Sequence, residues 1–547
     1  MKLSLLLINI FVVAIVSHSQ KTSSHTYYIS PQGDDHNTGT TITQQWKTVA
    51  KVNSTILHAG DKVLFEADKI FSGTIELDSL DSGAPGNPVT ISAYGKGRAV
   101  IDAGNSNGFT GSNCSYIKLS RLHIKGSGVD DNKGTGILFN STQTGKSCKS
   151  IVIDNCVAEG FHNFGILISC AEGETVKGFD SVTISHCAAT ANGEGGISSI
   201  GSQTAFRHTN FHITHCTVYL NRGIRSKTDG HSGNGIVMSG VQYMVIDNCL
   251  AYENGALNNC TGGGPVGIWM WICKDAVIEH CESHHNHAGL NKDGGGFDID
   301  GGCSNCTIQY NYSHDNEGAG YLLAEYGAGM PFANNTIRFN ISQNDGRKNG
   351  YGGIAFWGVS DAFKVTNTYV YNNTVYVNDS NFVNNMAAAA VMTMGDKLSR
   401  VLVANNVFIT AGKARMLNSD TQLDTSIIYF AGNDYYNGGN LAIFNYNNVL
   451  LQGIAAWQQP NTAQEIYRGN KIDLSANPFY VAAGGGITNG TGITPPKSLT
   501  AYQLLAGKPM LKGIDLKKAF DIDVGRWDFY GNMVTKNNCN TVGAVLQ

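Results

Sequence analysis

Ile153-Asp154-Asn155-Cys156, Ile184-Ser185-His186-Cys187, Ile213-Thr214-His215-Cys216, Ile246-Asp247-Asn248-Cys249 and Ile278-Glu279-His280-Cys281 are variants of one phrase. Ile308-Gln309-Tyr310-Asn311 and Ile337-Arg338-Phe339-Asn340 continue it, and the seven copies fall 29 to 33 residues apart. A second landmark, glycine followed by an apolar residue, marks Ile137, Ile166, Ile197, Ile236, Ile268, Phe297, Tyr321 and Ile354. Each repeat is therefore a set of short strands joined by turns, with no segment of 3.6-residue period long enough for a helix. A unit of this size cannot bury its own apolar face. The copies must stack, and the expectation is an all-β solenoid whose two ends are capped.

The composition agrees with an extended, turn-rich chain: 66 glycines in 547 residues and only 15% charged side chains. A net charge of -4 and a pI near 6.5 leave no basic footprint for nucleic acid. Lys2, an apolar stretch from Leu3 to Val16 and Ser17-His18-Ser19 have the form of a secretory signal peptide over residues 1–19. No later segment offers 18 uncharged apolar residues, so the expected product is secreted or periplasmic, not inserted in a membrane, and monomeric.

Thr26-Tyr27-Tyr28-Ile29-Ser30-Pro31-Gln32-Gly33-Asp34, then Trp46-Lys47-Thr48 and Gly60-Asp61-Lys62-Val63-Leu64-Phe65, resemble the N-terminal cap of secreted right-handed parallel β-helix proteins of the pectate-lyase-like superfamily. Ala84-Pro85-Gly86-Asn87-Pro88-Val89-Thr90-Ile91 and Val100-Ile101-Asp102 extend the resemblance. Gly453 to Trp457, Ser475 to Phe479, Asp528 to Gly531 and Val542-Gly543-Ala544 resemble the closing segments of the same proteins. The resemblance implies a right-handed parallel β-helix, with residues 20–90 as cap and first coils, roughly ten coils over 91–440, and an irregular cap over 441–547. The superfamily holds polysaccharide lyases and polygalacturonase-type glycoside hydrolases. The Asn-Thr-Asp, Asp-Asp and Gly-His-Gly motifs of the polygalacturonases are not found in this arrangement, which speaks against galacturonan as substrate.

Thirteen cysteines in an exported chain would permit disulfides, but an odd number in repeat register reads instead as buried thiol ladders. Cys156, Cys187, Cys216, Cys249 and Cys281 share one position, and Cys114, Cys148, Cys273 and Cys303 another. Cys303-Ser304-Asn305-Cys306 has no partner pair, so no metal site is assigned to it. A column of Asn192, Asn221, Asn254, Asn286 and Asn316 reads as turn chemistry, since asparagine tolerates the left-handed backbone.

Function is expected where the repeat is interrupted. From landmark to next glycine-apolar strand, plain coils need 10 residues, but Cys216 to Ile236 takes 20, Cys249 to Ile268 takes 19 and Cys281 to Phe297 takes 16. Three insertions at one repeat position project side by side and wall a cleft. On the strands that follow, alternation turns Trp269 and Trp271, Asp298 and Asp300, and Trp357 outward. In-register stacking sets the tryptophan strand beside the aspartates, and indoles are natural partners for the apolar faces of sugar rings.

Two aspartates two strand residues apart stand about 6 to 7 Å from one another, a separation suited to acid/base work on a glycosidic bond. The leading expectation is a glycoside hydrolase with Asp298 and Asp300 as catalytic pair, Asp293 and Glu325 as further carboxyl candidates, and no cofactor or metal. Trp269, Trp271, Trp357, His284, His285, Lys292 and His231 would bind a polysaccharide or oligosaccharide. The alternative is a Ca²⁺-dependent polysaccharide lyase, in which Asp293, Asp298 and Asp300 hold the ion against a uronate and Lys292 or an arginine removes the C5 proton. A third possibility is a non-catalytic glycan-binding surface protein, since solenoids also serve as adhesins.

Overall fold

In the computed structural model residues 24–379, 387–461, 463–487 and 499–546 are described; residues 1–19, expected from the sequence to be a signal peptide, lie outside them. Strands follow one another around an axis, so that each of three sheets takes every third strand. The first sheet has 14 strands from Thr26–Ile29 to Ile428–Ala431, the second 14 from Ile75–Leu77 to Val449–Gln452, and the third 13 from Ile70–Ser72 to Asp434–Tyr436. Pairing is parallel until a closing antiparallel hairpin, Ile443–Tyr446 with Val449–Gln452. The stack exceeds the ten coils expected because strands of the cap segment already pair in register, Thr26 with Lys62 and Lys62 with Thr90.

The landmark isoleucines Ile153, Ile184, Ile213, Ile246, Ile278, Ile308 and Ile337 are all fully buried in one column. Removing each from water contributes about 2 kcal/mol. Both cysteine columns are buried beside it, and all 13 thiols are free. Short elements close the ends. At the start Trp46 stacks on Tyr27 at 4.4 Å, and the helix Val49–Asn53 buries Val49 and Val52. At the other end Trp457, on the helix Ile454–Gln458, lies flat on Phe444 at 5.2 Å. The rest of the C-terminal segment does more than plug the end. It folds back along the flank, where Tyr480, Tyr502, Phe529 and Val542 pack on Tyr312, Ile341 and Val407.

The asparagine column has a role that differs from the turn chemistry expected. Asn192, Asn221, Asn254, Asn286 and Asn316 are buried, and the left-handed backbone falls on the residues just before them: Ala191, Leu220, Glu253, His285 and Asp315. Each Asn amide instead donates to the Oδ1 of the next, from Asn192 to Asn316, and Asp345 Oδ1 ends the run at 2.8 Å. A second ladder runs Asn311, Asn340, Asn373, Asn406, Asn433 and ends on Glu465 Oε1 at 2.8 Å. Both ladders donate in one direction and both finish on a buried carboxyl, whose oxygen accepts the last amide.

Burial pushes Asp345 up to about 6 and Glu465 up to about 7. A carboxyl whose native value is raised binds its proton more tightly in the folded state. The stability it contributes is full below the unfolded value near 4.5 and is lost as pH rises through 7. Wild-type protein is therefore expected to lose on the order of 2 kcal/mol between pH 5 and pH 8 through Glu465, read by urea unfolding with Trp457 fluorescence. Glu465→Gln should flatten that part of the profile; an equally steep profile in the variant would place the titration elsewhere.

Candidate functional site

The second sheet carries the floor of the site. Its strands Asn234–Ser239, Val266–Trp271, Gly295–Ile299, Tyr321–Glu325 and Gly352–Gly358 set Trp269 opposite Val237 and Asp298, Asp298 opposite Leu322, and Ala324 opposite Trp357. Ile268, Met270, Phe297, Ile299, Tyr321 and Leu323 fill the core, so the alternate positions face outward. Asp300 extends its strand by one residue, its N–H donating to the Met270 carbonyl at 2.9 Å.

A cavity of about 550 Å³ lies on this floor. The structure brings Trp269, Trp271, Trp357, Asp298, Asp300, Asp293, Lys292 and His231 together in it. One wall is built from the three insertions, through His231, Gly262 to Gly264 and Lys292-Asp293. Gln203 and Tyr326 line it as well. A Cβ on Gly301 would stand 2.6 Å from the Tyr326 ring and 2.8 Å from the Ala328 Cβ, so the absence of a side chain there leaves room for that ring. Trp269 is 5% exposed and donates from Nε1 to Asn234 Oδ1 at 3.1 Å, whereas Trp271 and Trp357 are half-buried and present ring surface to the cavity.

The three carboxyls are not equivalent. Asp298 is buried, its Oδ1 has no partner, and burial together with the charges of Asp300 and Asp293 drives it far above the usual range. Asp300 is half-buried; burial first, then Asp293 and Glu325, raise it to about 8 against a stabilising bond from the Gly301 N–H at 2.7 Å. Burial raises Asp293 too, but the Tyr351 hydroxyl donates to its Oδ1 at 2.8 Å and the Gly264 N–H to its Oδ2 at 2.7 Å, and both favour the ionised form. Around neutral pH Asp300 is protonated, whereas the two donors on Asp293 oppose its burial and favour its carboxylate. Burial pushes His231 down to about 4, so its imidazole is neutral there.

Glu325, expected to reach the cleft, does not line it. Alternation gives the cavity Ala324, and the Glu325 carboxylate braces the turn beyond by accepting from the N–H groups of Gly327, Ala328 and Gly302 at 2.6, 3.0 and 3.2 Å. His284 and His285, expected to bind substrate, lie at the third sheet, because the strand Glu282–His284 precedes the insertion. His284 stacks between Tyr252 and His314, and its Nδ1 meets His285 Nδ1 at 2.9 Å. The nitrogens of His284, His285 and His314 come within 4.8 Å of one another. The rings of His284 and His314 are stacked 14° from parallel, however, so their in-plane lone pairs do not converge on one ion at about 2.1 Å. His314 is further engaged by Glu282 and Asp315, both at 3.0 Å.

Tyr351, Tyr326 and Gln203 are cavity residues that the repeat pattern did not single out as binding. The stretched Asn340 to Ile354 interval signals the first; nothing in the sequence signals the other two.

The family described as right handed beta helix region matches residues 170–337 and 222–375, the span that contains the floor and all three insertions. The chain is a right-handed parallel β-helix over this span. This β-helix is 27% identical over 493 residues to a lacto-N-biosidase of Bifidobacterium longum subsp. longum, a match that covers 71% of the chain but 29% of that relative. The chain thus spans less than a third of the length of the curated relative it matches. The β-helix also superimposes on the crystal structure of the GH136 lacto-N-biosidase of Eubacterium ramulus, with a TM-score of 0.52, 20% identity, and coverage of 67% of this chain and 65% of that one.

Proposed function

We propose that this β-helix is an exported glycoside hydrolase that cleaves an oligosaccharide in the cavity over Trp271, Asp298 and Asp300. The observation that carries the reading is the pairing, in one cavity, of half-buried indoles with carboxyls held by different partners, Asp300 raised to about 8 and Asp293 braced by two donors. Glycoside hydrolysis needs one carboxyl that carries a proton to the leaving oxygen and one carboxylate that acts on water or on the anomeric carbon. We assign the carboxylate role to Asp293, whose two donors favour its ionised form, and the acid role to Asp300, protonated near neutral pH, in place of the same-strand pair. Asp298 is too deeply buried to ionise readily, and its unpartnered Oδ1 suits a hydrogen bond to a sugar. The lacto-N-biosidase relatives support hydrolysis over lyase chemistry, and point to oligosaccharides that end in lacto-N-biose as the first substrates to try.

The test is product release from a panel that contains those oligosaccharides, neutral glycans and uronate polymers, followed by mass spectrometry. Saturated products of one sugar linkage support the reading; unsaturated products from uronate polymers alone, made only in the presence of Ca²⁺, would replace it with the lyase. Once a substrate is known, Trp271→Ala should weaken its binding to an inactive variant by about 1 to 3 kcal/mol in calorimetry, through loss of the indole face. Unchanged affinity would make Trp271 a packing residue.

A further inference from the structure

Asp293 is the one carboxyl of the cavity that no strand of the floor holds. It sits in the third insertion with a left-handed backbone, φ 57°, a conformation that costs a non-glycine residue on the order of 1 kcal/mol and persists only where its surroundings impose it. Those surroundings come from both directions along the axis. The preceding insertion supplies the Gly264 N–H, and its backbone lies so close that a Cβ on Gly264 would stand 1.9 Å from the Lys292 carbonyl oxygen. The fourth and smaller insertion, between Asn340 and Ile354, reaches back from two coils ahead and touches the Asp293 loop three times. Lys348 Nζ donates to the Gly289 carbonyl at 2.5 Å, Asn349 Nδ2 donates to the Asn291 carbonyl, and the Tyr351 hydroxyl donates to Asp293 itself at 2.8 Å.

The grip is rigid. Gly346 turns the insertion at φ 76°, and the Tyr351 ring is buried against Ala319, Leu322, Ala324 and Ala355, which fixes where its hydroxyl points. We propose that the 345–351 insertion is a clamp that holds Asp293 in place and favours its carboxylate form, with Tyr351 as the positioning residue. This rests on the hydrolase reading, in which Asp293 is the ionised partner. The charged and titratable groups around Asp293 are Lys292 on its own loop, His231 near Gly263, Asp298 and Asp300 on the floor, and Tyr351. Of these only Tyr351 touches it with a hydrogen-bond donor that a single oxygen deletion removes. Loss of that donor leaves the burial of Asp293 less opposed, so its protonation should move upward in pH.

The experiment is a pH titration of intrinsic tryptophan fluorescence in wild type, Asp293→Asn and Tyr351→Phe, run beside kinetics. The step that vanishes in Asp293→Asn belongs to Asp293. In Tyr351→Phe, which keeps the ring, that step is expected to move up by about one pH unit, a tenfold change in proton affinity. The rising acid limb of kcat/KM should move with it, and kcat should fall about 10- to 100-fold while KM stays within about threefold. Asn349→Ala should lower kcat without moving the step, because it loosens the loop backbone and leaves the Tyr351 bond. A step that titrates identically in Tyr351→Phe and wild type, or a loss confined to KM, would overturn the clamp. A shifted step in a protein that hydrolyses no glycan would support the clamp and sink the hydrolase reading, so the two fail separately.

Discussion

Asp293→Asn and Asp300→Asn are each expected to lower turnover by about 10³-fold or more on whichever oligosaccharide the cavity accepts, with KM little changed. The amide keeps the size and most hydrogen bonds of the carboxyl but can neither hold a negative charge nor exchange a proton, so the loss falls on the chemical step. Asp298→Asn should lose only about tenfold, because a residue that stays neutral in the free protein contributes hydrogen bonding, which an amide retains in part. All three variants should unfold at or above the wild-type midpoint at pH 8. Burial raises each carboxyl, so ionisation at high pH works against the native state and its removal relieves that cost. Kinetics by product chromatography and thermal unfolding on the same preparations check both halves; a loss in Asp298→Asn equal to that in Asp293→Asn would return the assignment to the same-strand pair.

Gly264→Ala should be nearly as damaging although Gly264 has no side chain. Its Cβ would meet the Lys292 carbonyl oxygen at 1.9 Å and the Asp293 Cβ at 3.0 Å, and backbone rather than a flexible chain would have to give way. The displaced segment carries Asp293, so we expect kcat to fall about 100-fold, since an ångström of misplacement at a reacting group costs on that order. The coil beneath is untouched, and the unfolding free energy should change by less than about 1 kcal/mol, apart from the loop itself. A kcat lowered about 100-fold with an unchanged urea midpoint is the expected signature; full activity would mean that the insertion adapts and does not position Asp293.

The stacking period, the buried columns and the outward set of Trp269, Trp271, Asp298 and Trp357 were legible in the sequence because they follow from two periodicities, one per coil and one per strand. Alternation alone also predicts that Ala324, not Glu325, faces outward, and the expectation that Glu325 would reach the cleft overrode it. His284 and His285 were misplaced for a different reason. They are adjacent to the inserted segment in sequence, yet the strand Glu282–His284 belongs to the third sheet, and the chain turns before it climbs to the cavity. What no periodicity encodes is how loops from different coils meet. The contact of Tyr351 with Asp293 spans 58 residues and two coils, and Gln203 enters the cavity from the turn between the strands Gly195–Ile200 and His208–Thr214, outside the insertions. The asparagine ladders were visible as a column, but their chemistry was not, because local turn preference and an axial amide chain both select asparagine.

The central claim is that this cavity adds water across a glycosidic bond, and cleavage in ¹⁸O-labelled water tests it most directly. With the oligosaccharide panel as substrate and products read by mass spectrometry, hydrolysis by wild type should place one ¹⁸O in each new pair of ends, with no product absorbing in the ultraviolet, and Asp293→Asn and Asp300→Asn should form no labelled product. Cleavage without label and with an unsaturated, ultraviolet-absorbing end, or label incorporated equally by both asparagine variants, would contradict it.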